Sequence, residues 1–127
     1  MSNLPQFISG LRAFEVKVEE SSKDHIRGVA KRVLTSIING TPVDTGKAVA
    51  NWSVSPNTPS GYVTDDVDPG KHSTISKGVS VIDSIDPHIN HIIIENNLKY
   101  ISSLEDGHSS QAPAGMVAVA LVNERVK

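Results

Sequence analysis

The chain of 127 residues is 38% hydrophobic and 20% charged, which fits one compact domain with a modest core. Twelve Lys and Arg against fourteen Asp and Glu give a formal net charge of -2, so the basic surface that grips phosphate backbones is not expected. The lack of cysteine removes disulfides, thiolate zinc sites and a catalytic thiol; no stretch approaches the ~20 apolar residues of a membrane span, and no basic-then-apolar export signal opens the sequence.

Over residues 5–39 apolar side chains recur at helical spacing: Phe7, Leu11, Phe14 and Val18, then Ile26, Val29, Ala30, Val33, Leu34, Ile37 and Ile38. This predicts a long helix over residues 1–39, with Ser2 and Asn3 as caps, Pro5 in the first turn, and Asn39, Gly40 and Pro42 as the stop. Gly10 and the polar stretch 19–25 are the places for a bend, and a break near Ser21 and Ser22 is the alternative. A helix of ~33 residues spans ~50 Å, whereas a compact chain of this size is ~36 Å across. The stripe Phe7, Leu11, Phe14 and Val18 is therefore expected to lie partly in water and to mark a partner surface.

The next segment, Thr41-Pro42-Val43-Asp44-Thr45-Gly46-Lys47, reads as a rigid reversal. Gly40 suits a left-handed cap, Asp44 an acceptor for the backbone two residues on, and Gly46 a positive φ. A phosphate-binding loop is excluded, because Thr41 stands where that motif needs glycine and Ala48 where it needs a hydroxyl. Residues 48–54 suit a strand with Trp52 buried against the helix.

Residues 55–72 lack periodicity and are punctuated by Pro56, Pro59, Gly61, Pro69 and Gly70. They are expected to form an extended loop, or an arm that orders on a neighbour, with Tyr62, Asp65, Asp66 and Lys71 as contact residues. Asp65, Asp66 and Asp68 lack the ligand alternation and closing glutamate of an EF-hand. Ser73 or Thr74 then caps a short helix with Ile75, Val79, Ile82 and Ile85 on one face, ended by Asp86 and Pro87.

Ile89, Ile92, Ile93 and Ile94 make residues 88–96 the clearest strand, expected to be central in a sheet. His88 and His91 are three apart and so face opposite sides of a strand, which argues against a shared metal with Asp86 or His108. Residues 98–105 fit a short helix closed by Gly107, and residues 114–126 fit a last helix carrying Met116, Val117, Ala120 and Leu121. Asp106, His108 and Ser109 have the residue types of a hydrolytic triad but crowd into one loop, where the relay cannot form.

Two blocks carry a family resemblance. The first is Thr41-Pro42-Val43-Asp44-Thr45-Gly46-Lys47-Ala48 running to Asn51 and Trp52; the second joins Asn96-Asn97-Leu98-Lys99-Tyr100, Leu104-Glu105-Asp106-Gly107-His108-Ser109 and Gln111-Ala112-Pro113-Ala114-Gly115-Met116-Val117. Together they resemble the tail-completion, or neck, proteins of tailed bacteriophages, also described as minor tail components. Lys47 stands where members often carry Arg, and Lys99 where Pro is frequent before the Tyr. The resemblance implies an α+β subunit, and the predicted elements make it a long N-terminal helix packed on a small, mainly antiparallel sheet with two or three shorter helices.

It also implies a virion structural protein, assembled in the host bacterial cytoplasm, that forms a hexameric ring at the head–tail junction. Its partners would be identical subunits, connector or portal-side proteins, tail-tube or terminator proteins, and genomic DNA passing through the lumen without sequence recognition, with no membrane. The mild net acidity suits a conduit through which DNA slides. No catalytic, cofactor or metal residue is assigned. The interface is expected at Phe7, Leu11, Phe14, Val18, Tyr62, Asp65, Asp66 and Lys71. The family-motif residues Thr41, Pro42, Val43, Asp44, Thr45, Gly46, Trp52, Tyr100, Glu105, Gly107, Ser109, Gln111 and Pro113 are expected to fix geometry. The competing readings are a tail-terminator or head-closure ring, a small metal-dependent hydrolase using His88, His91, His108 and Asp106, and a regulatory binder docking through the helix stripe.

Overall fold

A computed structural model describes residues 6–8, 13–17, 23–86, 91–107, 111, 115–117 and 119–120. The fold is α+β, and the described elements are strands β1 (Gln6–Ile8) and β2 (Ala13–Lys17), helices α1 (Lys23–Gly40) and α2 (Lys47–Ala50), strand β3 (Trp52–Pro56), helix α3 (His72–Ser84), strand β4 (His91–Asn96) and helix α4 (Ile101–Glu105). The strands pair antiparallel in the order β1-β2-β4-β3.

The expected helix over residues 1–39 is not confirmed: Gln6–Ile8 and Ala13–Lys17 pair as strands, and α1 is described over Lys23–Gly40. The cause is an ambiguity of period. Residues seven apart share a helical face, but they also meet across a hairpin, and here Phe7 stands opposite Phe14. Leu11 and Val18 lie outside the described residues. At 18 residues, α1 is about 27 Å long, shorter than the domain's width of about 36 Å, so the argument from an overhanging rod does not apply.

The second half of the pattern performs as its spacing predicts. Ile26, Val29, Ala30, Val33, Leu34, Ile37 and Ile38 are all buried, and they form the centre of the core together with Trp52, Ile82, Ile92 and Ile94. Each buried aliphatic side chain of this kind contributes roughly 1.5–3 kcal/mol. The face of α3 is as expected, with Ile82 and Ile85 buried and Ile75 and Val79 packed beside them. An Arg27 Nη2 hydrogen bond of 2.8 Å to Ile85 O and a Lys31–Asp83 ion pair fasten α1 to the end of α3.

The isoleucine strand is central, since β4 pairs with β2 on one side and β3 on the other. Its alternation divides two environments. Ile92 and Ile94 belong to the helix-covered core, whereas Ile93 and Glu95 belong to the opposite face and are buried as well. Three local expectations are corrected. Residues 47–50 form a helical turn before the Trp52 strand. Gly40 is the last residue of α1 and lacks a positive φ. The start of α3 is held by Asp68, whose Oδ2 accepts from Thr74 N and Thr74 Oγ1, each at 2.7 Å, instead of by Ser73 or Thr74 as cap. Of the last predicted helix, Val117, Val119 and Ala120 are helical, Gly115 and Met116 precede the turn without being helical, and the remainder lies outside the described residues.

Candidate functional site

The reversal after α1 is built around Trp52 and Gly46. Thr41 Oγ1 donates to Ile37 O at 2.7 Å and accepts from Trp52 Nε1 at 2.9 Å, so one buried hydroxyl ends the helix and fixes the indole. Thr45 Oγ1, not Asp44, accepts from the backbone two residues on, at Lys47 N, 3.2 Å. Gly46 has φ +97, and a Cβ there would lie 2.5 Å from Pro69 N and 2.8 Å from Asp68 C. The glycine is thus required twice, by its dihedral and by the backbone that crosses it.

That crossing joins the reversal to the loop. Asp68 N donates to Gly46 O at 2.9 Å, and Asn51 clamps Thr64 from both sides, with Nδ2 to Thr64 O and Thr64 N to Oδ1, each 2.9 Å. Further back, Ser60 N and Ser60 Oγ donate to the buried Glu95 Oε1 at 2.6 and 2.9 Å, while Asn97 Nδ2 donates to Glu95 Oε2 and to Tyr62 O. Residues 57–71 carry no helix or strand, yet they are tied to the domain's own residues. Of the two expectations for this stretch, an extended loop or an arm ordered on a neighbour, these bonds fit an extended loop anchored on its own domain.

The two sequence blocks meet in space. Val43 N donates to Gln111 Oε1 at 2.9 Å and Gln111 Nε2 donates back to Val43 O at 3.2 Å, a two-point clamp of side chain on backbone. Beside it lies a cavity of about 240 Å³ lined by Pro42, Val43, Asp44, Tyr100, Leu104 and Gln111, among others. Tyr100 is 46% exposed at its mouth. Glu105 Oε1 accepts from Met116 N at 3.0 Å and Val117 N at 2.9 Å, starting the last described helical turn. Gly115 has φ +84 and sits against Glu105 O, where a Cβ would come within 2.5 Å. Gly107 takes φ +87 at the close of α4. Ser109 and Pro113 lie outside the described residues.

The interface residues expected from sequence fall in three places. Phe7 and Phe14 lie on β1 and β2, with Phe14 opposite Ile94 of β4. Tyr62, Asp65 and Asp66 are exposed on the anchored loop, where Val63 and Val67 are exposed as well. Lys71 has a task within its own fold, with Nζ donating to Asn39 O at the end of α1 at 2.7 Å. Burial lowers the Lys71 pKa below its ordinary value. Burial raises the Asp68 carboxyl, but the Thr74 hydroxyl and backbone, the Lys71 backbone and the Lys77 charge outweigh it, leaving the pKa below the ordinary one.

A larger cleft of about 650 Å³ was not foreseen from sequence; it is lined by Trp52, Ser53 and Val54 of β3, by the loop from Tyr62 to Asp68, and by α3 at Lys77 and Val81. Of the groups named for a metal-dependent hydrolase, His88 and His108 lie outside the described residues, and neither His91 nor Asp106 joins a cluster of potential metal ligands among the described ones. No described helix is long and apolar enough to cross a membrane. Comparison with protein-family models, with curated proteins and with solved structures finds no match to this chain.

Proposed function

We propose that this chain is a structural subunit of a tailed bacteriophage particle, forming a hexameric ring at the head–tail junction that completes the tail and lets DNA pass. The observation that carries the reading is the meeting of the two motif blocks. Residues far apart in sequence, Val43 and Gln111, hold each other by a reciprocal pair of hydrogen bonds beside a cavity whose lining comes from both blocks. Motif residues that converge on structure instead of on a reacting centre suit a protein that works by shape.

The anchored loop adds support. It fixes its backbone at several points while leaving Tyr62, Val63 and Val67 in water, at 42%, 56% and 54% exposure. Apolar side chains displayed from a fixed loop suit contact with identical neighbours in a closed ring. In this reading the other partners are the connector on the capsid side and the tail tube or its terminator below, with the particle as the chain's location. The overhanging helix contributes nothing to it.

The experiment is cryo-electron microscopy of purified phage particles bearing an epitope on the N-terminus of this chain. Antibody density in a ring between capsid and tail is the expected result. Particles that lack the chain, or that carry it on the capsid wall or tail tip, overturn the proposal.

A further inference from the structure

β3 is an edge strand, paired with β4 on one side and with no described strand on the other. The register determines which of its backbone groups face outward. Asn57 N donates to His91 O at 2.9 Å, and the ladder that sets Val54 opposite Ile94 and Trp52 opposite Asn96 runs on to that pair. Antiparallel pairs alternate, so Ser53 and Ser55 exchange hydrogen bonds with β4, while the N–H and C=O of Val54 and the C=O of Trp52 point away from it. No backbone bond from a described residue uses these outward groups. Natural edges are blunted by proline, charge or a bulge. Pro56 blunts one end here, but Val54 carries no such guard.

The cleft of about 650 Å³ is lined by this same stretch of strand. Trp52, Val67 and Val81 give it apolar walls, and Asp65, Asp66 and Lys77 set its charge. Asp68 is committed to Thr74. The Asp65 side chain is 99% exposed and only loosely paired, with Lys47 Nζ at 3.2 Å. Asp68 still carries its charge, so three carboxylates stand against Lys77 and Lys47, and the balance at the mouth is acidic by one charge.

We infer that the outer edge of β3 accepts an extended peptide segment as an added strand, and that the segment presents basic side chains alternating with apolar ones. Backbone hydrogen bonds to Val54 give the segment its register, the apolar side chains enter between Trp52, Val67 and Val81, and the basic ones meet Asp65 and Asp66. The inference stands on the edge, the cleft and their charge, so it succeeds or fails separately from the neck-ring reading.

Trp52 is the sole tryptophan and lines the cleft, so its emission reports occupancy directly. The full chain is titrated with acetyl-Val-Lys-Val-Arg-Val-amide and with its counterpart carrying Glu in place of Lys and Arg, with titration calorimetry alongside. Saturable binding of the basic peptide only is expected, weakened roughly tenfold in the Asp65→Asn, Asp66→Asn double variant, since two exposed charges are lost. Two further basic peptides are methylated on alternate backbone nitrogens. One should bind as the parent does and the other should lose about tenfold or more, because only one set of amides faces the edge. Absence of saturable binding, equal binding of the acidic peptide, or equal behaviour of the two methylated peptides overturns the inference.

Discussion

Replacing Gly46 by Ala separates two reasons for a glycine that are usually confounded. The backbone at Gly46 has φ +97, and a Cβ there would meet Pro69 N at 2.5 Å and Asp68 C at 2.8 Å. Gly61 also has a positive φ, +71, but a Cβ there would meet nothing within 4 Å. The conformational cost of a left-handed alanine is ~1–2 kcal/mol, and reduced freedom of the unfolded chain returns ~0.4–1 kcal/mol of it. Gly61→Ala should therefore destabilise by about 0–1.6 kcal/mol. Gly46→Ala bears that net cost and must also push apart two backbone segments, where overpacking adds typically ~1–3 kcal/mol, for a total of about 1–4.6 kcal/mol. Urea denaturation of both variants, followed by circular dichroism, measures the difference. Equal losses of midpoint would show that the reversal and the loop do not press on each other, and the argument for a rigid junction at Gly46 would be lost.

Gly78 of α3 poses the converse test: helix propensity favours Ala by roughly 1 kcal/mol, but a Cβ there would overlap buried Leu34 Cδ2, so Gly78→Ala should lower stability in the native background and raise it when combined with Leu34→Ala. A stabilised single variant would show that Leu34 has room to move. The folded Asp68 carboxyl has a pKa below its ordinary 3.8, so the unfolded chain binds the proton more readily and the stabilisation is present above that value and lost as pH falls through the folded one. Asp68→Asn should accordingly cost about 1 kcal/mol at neutral pH, as a lost helix-start acceptor does, with a gap to wild type that narrows below pH 3.8 in acid denaturation. Ser53 Oγ is buried without a hydrogen-bond partner among the described residues, and Ser53→Ala should leave stability unchanged or raise it by up to about 1 kcal/mol in the same urea assay. Elemental analysis of chain purified in the presence of zinc and manganese should find no stoichiometric ion; a retained one would favour the hydrolase reading.

What the sequence made legible is what depends on local pattern. The apolar face from Ile26 to Ile38, the β-branched run ending at Ile94 and the positive φ of Gly46 all follow from spacing or from a residue's own conformational range, and all are in the fold. Residues 6–17 misled because Phe7 and Phe14 satisfy a helical and a hairpin period equally, and only the partner strand β4 decides between them. The contacts that hold the loop were illegible for another reason. Ser60 with Glu95, Thr64 with Asn51 and Asp68 with Gly46 join positions distant in sequence, and no local propensity of serine or aspartate names its partner. One signal was available: Glu95 follows three consecutive isoleucines, and a carboxyl inside a strand buried on both faces has to be met by donors from elsewhere in the chain.

That buried carboxyl changes how the loop bears on function. An unanchored segment of this composition would have to be ordered by its partner, and the entropy of ordering would be subtracted from the affinity. Here Glu95, Asn97, Asn51 and Gly46 hold the backbone at successive points, and Lys71 closes the far end on α1. Between those points Tyr62, Val63 and Val67 remain exposed. The cost of ordering is therefore met within the chain, by donors satisfying a group that could not stay buried alone. The same device shapes the surroundings of β3: a loop fastened to Asn51 and Gly46 is held beside the strand and bounds a cleft along it. In the proposal for β3, an edge framed on one side by the acidic loop and on the other by α3 would favour a slender basic segment over a like-charged or bulky one.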